Sequence, residues 1–425
     1  MIRMVIGGMV LGSAATLAFG CNETVTIGEG EIGGNGGQAG EAPEPGGAKT
    51  AGGTTSKGGA ETAGGTLSTG GAKITGGAKA TGGTAQAGMA GVPPPADIGC
   101  AGSGRRLIAD SFASCLLGDD GELVCWGGSQ WTRQIPDQPF VSVSIGQDGA
   151  CGLGPDCRVT CWGTGQLANA PPDLYGRQVV TTALEACALD LDGHARCWGV
   201  PQPGAPFEGR TFSALFDGES AVCGILDGDA EAGDALCWSA LSVFTPAAEP
   251  GPFVEVGSAD HACGRLETGE LRCWGNTYYG ATEHPSGAFE SVITGASHFS
   301  CALDADHHAS CWGAMYFEDE DPALLDPPDD EFRVLVAGAA HVCGLTLYGE
   351  VRCWGYGVPG DERGDTPYFG QASPPEGEFV EIAVGYWHTC GLRGDGSVEC
   401  WGAGQPGDPV EPNGAHQGQS DPPEL

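Results

Sequence analysis

One unit recurs eight times in this chain and limits what it can fold into; its clearest copy is CALDLDGHARCWG at residues 187–199. Each copy carries two cysteines, in the pairs Cys115/Cys125, Cys151/Cys161, Cys187/Cys197, Cys223/Cys237, Cys263/Cys273, Cys301/Cys311, Cys343/Cys353 and Cys390/Cys400. Trp always follows the second cysteine, at Trp126, Trp162, Trp198, Trp238, Trp274, Trp312, Trp354 and Trp401. Gly comes next in seven copies, and Ser239 replaces it in the fourth. First cysteines lie 36, 36, 36, 40, 38, 42 and 47 residues apart, a period that marks a repeat architecture.

About eleven residues ahead of most first cysteines stands a second shared piece, such as FVSVSIG from Phe140, FVEVG from Phe253 and FVEIAVG from Phe379. Its alternation predicts a strand, with Val141, Val143 and Ile145 on one face and the serines on the other. Between the cysteines the pattern predicts a hairpin, clearest in CGLRGDGSVEC. Gly394-Asp395-Gly396 suits a three-residue loop closed by a left-handed Gly. With that loop centred on Asp395, Cys390 lies opposite Cys400, where cross-strand neighbours are close enough to form a disulfide. Leu392 and Val398 share the cysteine face, and Trp401 turns to the other. A bond closing so short a loop contributes at most about 2–3 kcal/mol by chain-entropy reasoning.

Pairing within units uses sixteen of the nineteen cysteines and leaves Cys21, Cys100 and Cys157. Cys157 sits at the turn position where other units have Gly, and a Cys100–Cys157 bond would make the remainder even. Metal binding is the rival reading of the pairs. It is disfavoured because the chain has no Cys-x-x-Cys and its histidines do not recur in every unit.

The N-terminus, MIRMVIGGMVLGSAATLAFGC, has one cation, Arg3, ahead of an apolar run from Val5 to Phe19, as in an export signal. Its end at Gly20-Cys21 resembles the cleavage box of bacterial lipoproteins, with Ala18 where Leu is usual, and that resemblance implies lipidation of Cys21. Ala18-Phe19-Gly20 also suits an ordinary signal peptidase, which would release the protein free. Either route leads to an oxidising compartment, where paired thiols persist as disulfides. Residues 21–97 are rich in Gly, Ala and Thr, and Gly-Gly pairs begin every six residues from Gly46 to Gly82. Such a segment has too little apolar surface to offset the entropy of ordering it, so it reads as a tether. Eighteen basic against 55 acidic side chains give a net charge of −37, which repels a phosphate backbone and argues against nucleic acid as partner.

The repeat resembles the regulator-of-chromosome-condensation repeat, V-x-x-G-x-x-H-x-x-A-L-x-x-D-G-x-V-x-x-W-G. The matching segments are VAGAAHVCGLTLYGEVRCWG, ending at Gly355, and VGYWHTCGLRGDGSVECWG, ending at Gly402, and the resemblance extends over residues 104–404. It implies a β-propeller in which each unit builds most of one blade, with seven or eight blades of three or four strands. Guanine-nucleotide exchange and chromatin binding are not expected of a chain that is exported and acidic.

Catalytic motifs are absent: there is no Gly-x-Ser-x-Gly, His-Glu-x-x-His or phosphate-binding loop. GYGVPG (Gly355 to Gly360) fits a dinucleotide fingerprint by letters only, since it contains Pro359 and no helix follows. His261, His341 and His388 each stand two residues before a first cysteine, which predicts hydrogen bonds to a neighbouring strand. Trp131, Trp387, Tyr278 and Tyr279 fall outside the repeat and are candidate binding residues. The fourth hairpin is four residues longer and carries Asp227, Asp229, Glu231 and Asp234, a weak calcium candidate beside the plainer reading of a solvated tip. FEDEDPALLDPPDDEF (Phe317 to Phe332) predicts an exposed acidic loop or contact patch.

The expectation is therefore an all-β chain: signal peptide at 1–20, linker at 21–97, a propeller over 98–410 and a tail over 411–425. Its expected role is a cell-envelope lipoprotein that displays a disulfide-stapled propeller to a protein or glycan partner, without a cofactor. The anchor would lie in the outer membrane, at its periplasmic face or at the cell surface. An extracytoplasmic hydrolase or lyase with its site at the central channel is the alternative, marked by convergent His, Asp, Glu or Arg side chains there. A purely structural surface protein is the third reading.

Overall fold

The computed structural model describes residues 106–128, 130–200, 205–228, 233–239, 247–315, 325–358, 369–406 and 418–423. The signal peptide, the linker, Cys21 and Cys100 lie outside the described residues. Eight antiparallel sheets of three strands each, all in sequential order, make up the fold. They span 106–127, 142–163, 176–199, 212–238, 253–275, 289–314, 332–355 and 381–402, and are numbered as blades 1 to 8. The first strands touch one another in order around an axis, and that of blade 8, Glu381–Val384, touches that of blade 1, Arg106–Asp110. The ring is thus closed and eight-bladed.

Register explains the cysteine spacing. The second and third strands of every blade pair so that the two cysteines are direct partners, as Cys390↔Cys400 in blade 8 and Cys223↔Cys237 in the longer hairpin of blade 4. The bonds are Cys115–Cys125, Cys151–Cys161, Cys187–Cys197, Cys223–Cys237, Cys263–Cys273, Cys301–Cys311, Cys343–Cys353 and Cys390–Cys400. Their Cα atoms are 4.0–4.1 Å apart. The predicted turn is present, with Gly396 left-handed at φ 91°. Cys157 takes the same turn position at φ 68°, unusual for a residue with a β-carbon, and is itself disulfide-bonded to a cysteine outside the described residues.

The two cysteines of most pairs differ in burial. All eight first cysteines, on the middle strands, are completely buried. Cys125, Cys161, Cys197, Cys273, Cys311 and Cys353, on the third strands, are only half-buried. The reason is position: the third strand is the outermost of its blade, so the apolar layer covers these sulfurs from one side and ends there. Cys125 borders the layer between blades 1 and 2, Cys161 that between blades 2 and 3, and Cys197 that between blades 3 and 4. Cys273 and Cys353 border the layers that follow blades 5 and 7. Only Cys237 and Cys400 are buried among the second cysteines.

Because side chains alternate, each blade has a cystine face and a tryptophan face. The cystine face of one blade packs on the tryptophan face of the next. Between blades 7 and 8, for instance, Val336, Cys343 and Leu345 meet Phe379, Ile382, Val384 and Trp401. Eight such layers exist, one per junction, and the last joins Cys390 and Leu392 to Leu107 and Trp126.

The expected strand FVSVSIG needs one correction: Val143 and Ile145 enter the layer between blades 1 and 2, whereas Val141 faces the layer between blades 2 and 3. Val141 precedes the first strand of blade 2, Ser142–Gly146, and so is not bound by its alternation; blades 3 to 7 have a bulge at the corresponding level.

The three repeat histidines are fully buried, and each bonds a hydroxyl in the next blade: His261 Nε2 to Ser300 (2.8 Å), His341 Nε2 to Thr389 (2.8 Å) and His388 Nε2 to Ser114 (2.7 Å). The last of these crosses the seam between blades 8 and 1, as does the bond from the Leu107 N–H to Glu381 (2.9 Å). Burial holds the ring nitrogens of His341 and His388 far below the usual range, at about 3, so both imidazoles are neutral.

Two residues beyond the expected propeller limit at 410 also contribute to the ring. Gln419 and Ser420 are buried in the ring, where the Gln419 carbonyl accepts the Trp126 indole N–H (3.0 Å) and Ser420 Oγ donates to the Ala403 carbonyl (2.7 Å). Elsewhere the same acceptor comes from an interblade loop, as Leu167 for Trp198, Ala281 for Trp312 and Gln371 for Trp401.

Candidate functional site at the channel mouth

The turns from first to second strands all lie at one end of the ring, and the third strands finish at that same end. Because the first strands are innermost, their last residues surround the mouth of the central channel. Most blades place Gly at the turn, at Gly146, Gly218, Gly295, Gly338 and Gly385, but blade 1 has Asp110. Asp217 and Glu219 of blade 4, Asp260 of blade 5, Ser144 of blade 2 and Tyr386 of blade 8 complete the group.

Their charges interact across the ring. Burial raises Asp110 to about 6, and the Asp217 charge adds to this although Ser111 donates to its carboxylate (N–H, 2.6 Å). Burial likewise raises Asp217, which accepts from Ser144 Oγ (3.4 Å). Glu219 rises to about 8, through burial first and then the charges of Asp110 and Asp260, despite a hydrogen bond with Tyr386. At neutral pH the mouth therefore holds a protonated carboxyl beside ionised ones, an arrangement suited to receiving a positive group or passing a proton.

Asp260 behaves in the opposite way. Burial would raise it, but His261 Nδ1 (3.0 Å), His298 Nδ1 (2.5 Å) and Asn276 Nδ2 (2.8 Å) surround its oxygens, and the histidines hold it well below the usual carboxylate range. His298 in turn stacks on Tyr279, with ring centres 5.3 Å apart and planes at 28°. A polar line thus runs from the rim at Tyr279 through His298 and Asp260 towards Glu219 and the axis.

Of the aromatic candidates, Tyr278 and Tyr279 are 68% and 59% exposed. Trp131 is not a surface residue: it is buried in the layer between blades 1 and 2, where its indole N–H donates to the Gln147 carbonyl (3.2 Å). It lies on a short 3-10 turn, Gln130–Arg133, whose apolar side the repeat pattern did not reveal. Trp387 is half-buried between Tyr386 and Phe369.

The calcium candidate gains no support. Asp234 Oδ1 already accepts the Gly251 N–H (2.8 Å), while Asp229 and Glu231 lie outside the described residues. Among the described residues no three His, Cys, Asp or Glu side chains are grouped to hold a metal. The acidic stretch 317–332 is not wholly exposed: Leu325 packs into the layer between blades 6 and 7, and Asp330 pairs with Arg352 (3.6 Å). GYGVPG is a loop whose Tyr356 is buried. Residues 317–324 of the acidic stretch and Pro359-Gly360 lie outside the described residues.

Sequence reading singled out none of Asp110, Asp217, Glu219, Asp260 or Tyr386. The usable signal was the place just before and after the turn Gly, where the units differ most.

The profile of the regulator of chromosome condensation (RCC1) repeat matches residues 254–281 and 379–405, which cover most of blade 5 and all of blade 8. Among solved structures, the chain is similar to the ectodomain of the receptor kinase CR4 from Physcomitrella patens, at 24% identity, over 63% of this chain and 75% of that one, with a TM-score of 0.47. It is also similar to the CRINKLY WD40 ectodomain of the Arabidopsis thaliana receptor kinase ACR4, at 22% identity, over 63% and 96%, with a TM-score of 0.46. Prp20p from Saccharomyces cerevisiae matches at 17% identity over 66% and 76%, with a TM-score of 0.41. Two blades thus match the RCC1 repeat directly, and all eight share one strand plan, one cysteine register and one Cys-Trp signature, so the chain is an eight-bladed β-propeller that contains RCC1 repeats.

Proposed function

We propose that this chain is an exported envelope protein, lipid-anchored through Cys21, whose propeller binds a protein or glycan partner at the face that carries the channel mouth. The observation behind this reading is the convergence of Asp110, Asp217, Glu219 and Tyr386 at that mouth, next to the exposed tyrosines. Eight disulfides belong to a chain folded in an oxidising compartment, in keeping with export. We assign the partner of Cys157 to Cys100. Capture from cell envelopes on the 98–425 fragment tests the binding role: a partner held by the parent and lost with Glu219→Gln or Tyr386→Ala supports it. Capture unaffected by either change refutes the assignment to this face. Metabolic labelling with a fatty acid tests the anchor, and label retained in Cys21→Ser refutes it.

A second reading, a hydrolase or lyase, is favoured by the same raised carboxyls, since Glu219 would keep a proton to donate at neutral pH while Asp110 is largely ionised. Turnover of an envelope polymer that Glu219→Gln abolishes while binding survives would select it.

A further inference from the structure

Tyr278 and Tyr279 are the one adjacent pair of exposed aromatic side chains among the described residues. They sit on the 3-10 turn Tyr278–Gly280 after the third strand of blade 5, with ring centres 6.5 Å apart at 63°. Two features set them apart from incidental surface tyrosines. Tyr279 has φ 57°, a left-handed backbone that a side chain with a β-carbon rarely adopts, so the fold holds this ring in place against a local preference. Its inner side is backed by His298, so the ring is supported from below and open above.

The groups at the edge of these rings are fixed as well. Asn276 Oδ1 accepts the Tyr278 N–H (2.9 Å), Asn276 Nδ2 donates to Asp260 (2.8 Å), and Asp260 holds His298 (2.5 Å). The result is two broad aromatic surfaces bordered by preset planar polar side chains. An apolar protein anchor needs a pocket or groove to fill, whereas a sugar ring needs a flat face. Its C–H bonds lie against an aromatic ring while hydroxyls around its rim meet carboxylate, amide and imidazole groups. The net charge of −37 opposes an anionic polymer.

We propose that Tyr278, Tyr279 and His298, with Asp260 and Asn276 at their edge, form a binding platform for a neutral glycan. The proposal rests on the binding role assigned to the channel-mouth face and names its ligand class.

Native gels cast with neutral polysaccharides (a β-glucan, an α-glucan, a mannan and a galactomannan) test this on the full chain, followed by calorimetric titration with the hexasaccharide of whichever polymer retards it. At least one polymer should retard the parent. Tyr278→Ala and Tyr279→Ala should each weaken binding at least about tenfold, and Tyr279→Phe, which keeps the ring, should stay within about threefold. Tyr348→Ala, at an 80% exposed tyrosine on a hairpin tip of the opposite face, should bind like the parent. No retardation by any polymer, retardation indifferent to Tyr279→Ala, or retention of oligolysine alone would each overturn the platform. A protein partner captured through Glu219 with no sugar bound would overturn the platform and leave the wider binding role intact.

Discussion

Five blades have Gly after the first cysteine because a phenylalanine ring from the start of the first strand, or from just before it, lies against it. A β-carbon added at Gly344 would overlap the Phe332 ring, and Gly152, Gly224, Gly264 and Gly391 are matched by Phe140, Phe212, Phe253 and Phe379 in the same way. Gly344→Ala should cost roughly 1–3 kcal/mol through overpacking. Phe332→Leu in the same chain should return part of it, and a double-mutant cycle by urea unfolding would measure that coupling. Glu219 poses an electrostatic question at the same scale. Its carboxyl titrates near 4.5 when unfolded and at about 8 in the fold, so between those values the native state keeps a proton that the unfolded state has released. Stability must then fall as pH rises from 4.5 to 8 on account of this residue. Glu219→Gln should be close to parental stability near pH 4.5 and more stable by roughly 1–2 kcal/mol at pH 8, after allowance for partial exposure. An equal gain at both pH values would rule out titration as the cause. The histidine pairs were legible beforehand only in part. Each His two places before a first cysteine is matched by Ser or Thr just before the next unit's cysteine, at Ser300, Thr389 and Ser114. Units without that His are followed by Ala150, Ala186, Val222, Ala262 and Val342. That rule runs from the eighth unit back to the first, and so carries ring closure.

Hairpins and loops differ in how openly the sequence declares them. Turn chemistry and residue parity define a cystine hairpin within eleven residues, so Cys390↔Cys400, Leu392↔Val398 and the turn of Trp401 to the opposite face all followed from local rules. Parity says which face a sulfur is on but not how deep it lies, so the half-exposure of Cys125 or Cys353 became visible only with the blade in its ring. Interblade loops have no such period, and their buried residues, Trp131 and Leu325 among them, depend on partners distant in sequence. The C-terminal strap is the instructive case. GQS at 418–420 repeats the GQA at 370–372 and the GQL at 165–167, segments that supply indole acceptors at two other junctions. Removing residues 418–425 should expose the Trp126 indole N–H and open the seam of blades 8 and 1, a loss of about 1–3 kcal/mol. Thermal unfolding and tryptophan emission would report it as a lower Tm and a red shift. An unchanged Tm would mean that the side-chain bonds across the seam suffice alone.

Across the whole molecule, the same layer is used at every junction, cystine face on tryptophan face, so no blade is privileged as first or last. The eight hairpin disulfides link strands within a blade and none of them joins two blades, so closure of the seam between blades 8 and 1 rests on packing and on hydrogen bonds such as His388 to Ser114. The channel mouth could not be inferred from single units for the same reason: Asp110 and Glu219 come from blades 1 and 4, and only a closed ring brings their charges within range. Equivalence of the junctions predicts that the chain tolerates reopening elsewhere. A permutant whose residue 423 is joined by a short Gly-Ser linker to residue 98, with new ends in the loop between blades 6 and 7, keeps all eight hairpins together with Cys100, and turns the present seam into an ordinary connected junction. It should fold with eight intact intra-hairpin disulfides and with a Tm within a few degrees of the parent, because only connectivity changes. Nonreducing peptide mapping and calorimetry would decide; a permutant that folds with scrambled disulfides would mean that the existing chain order, and not the blade-to-blade layer, directs assembly.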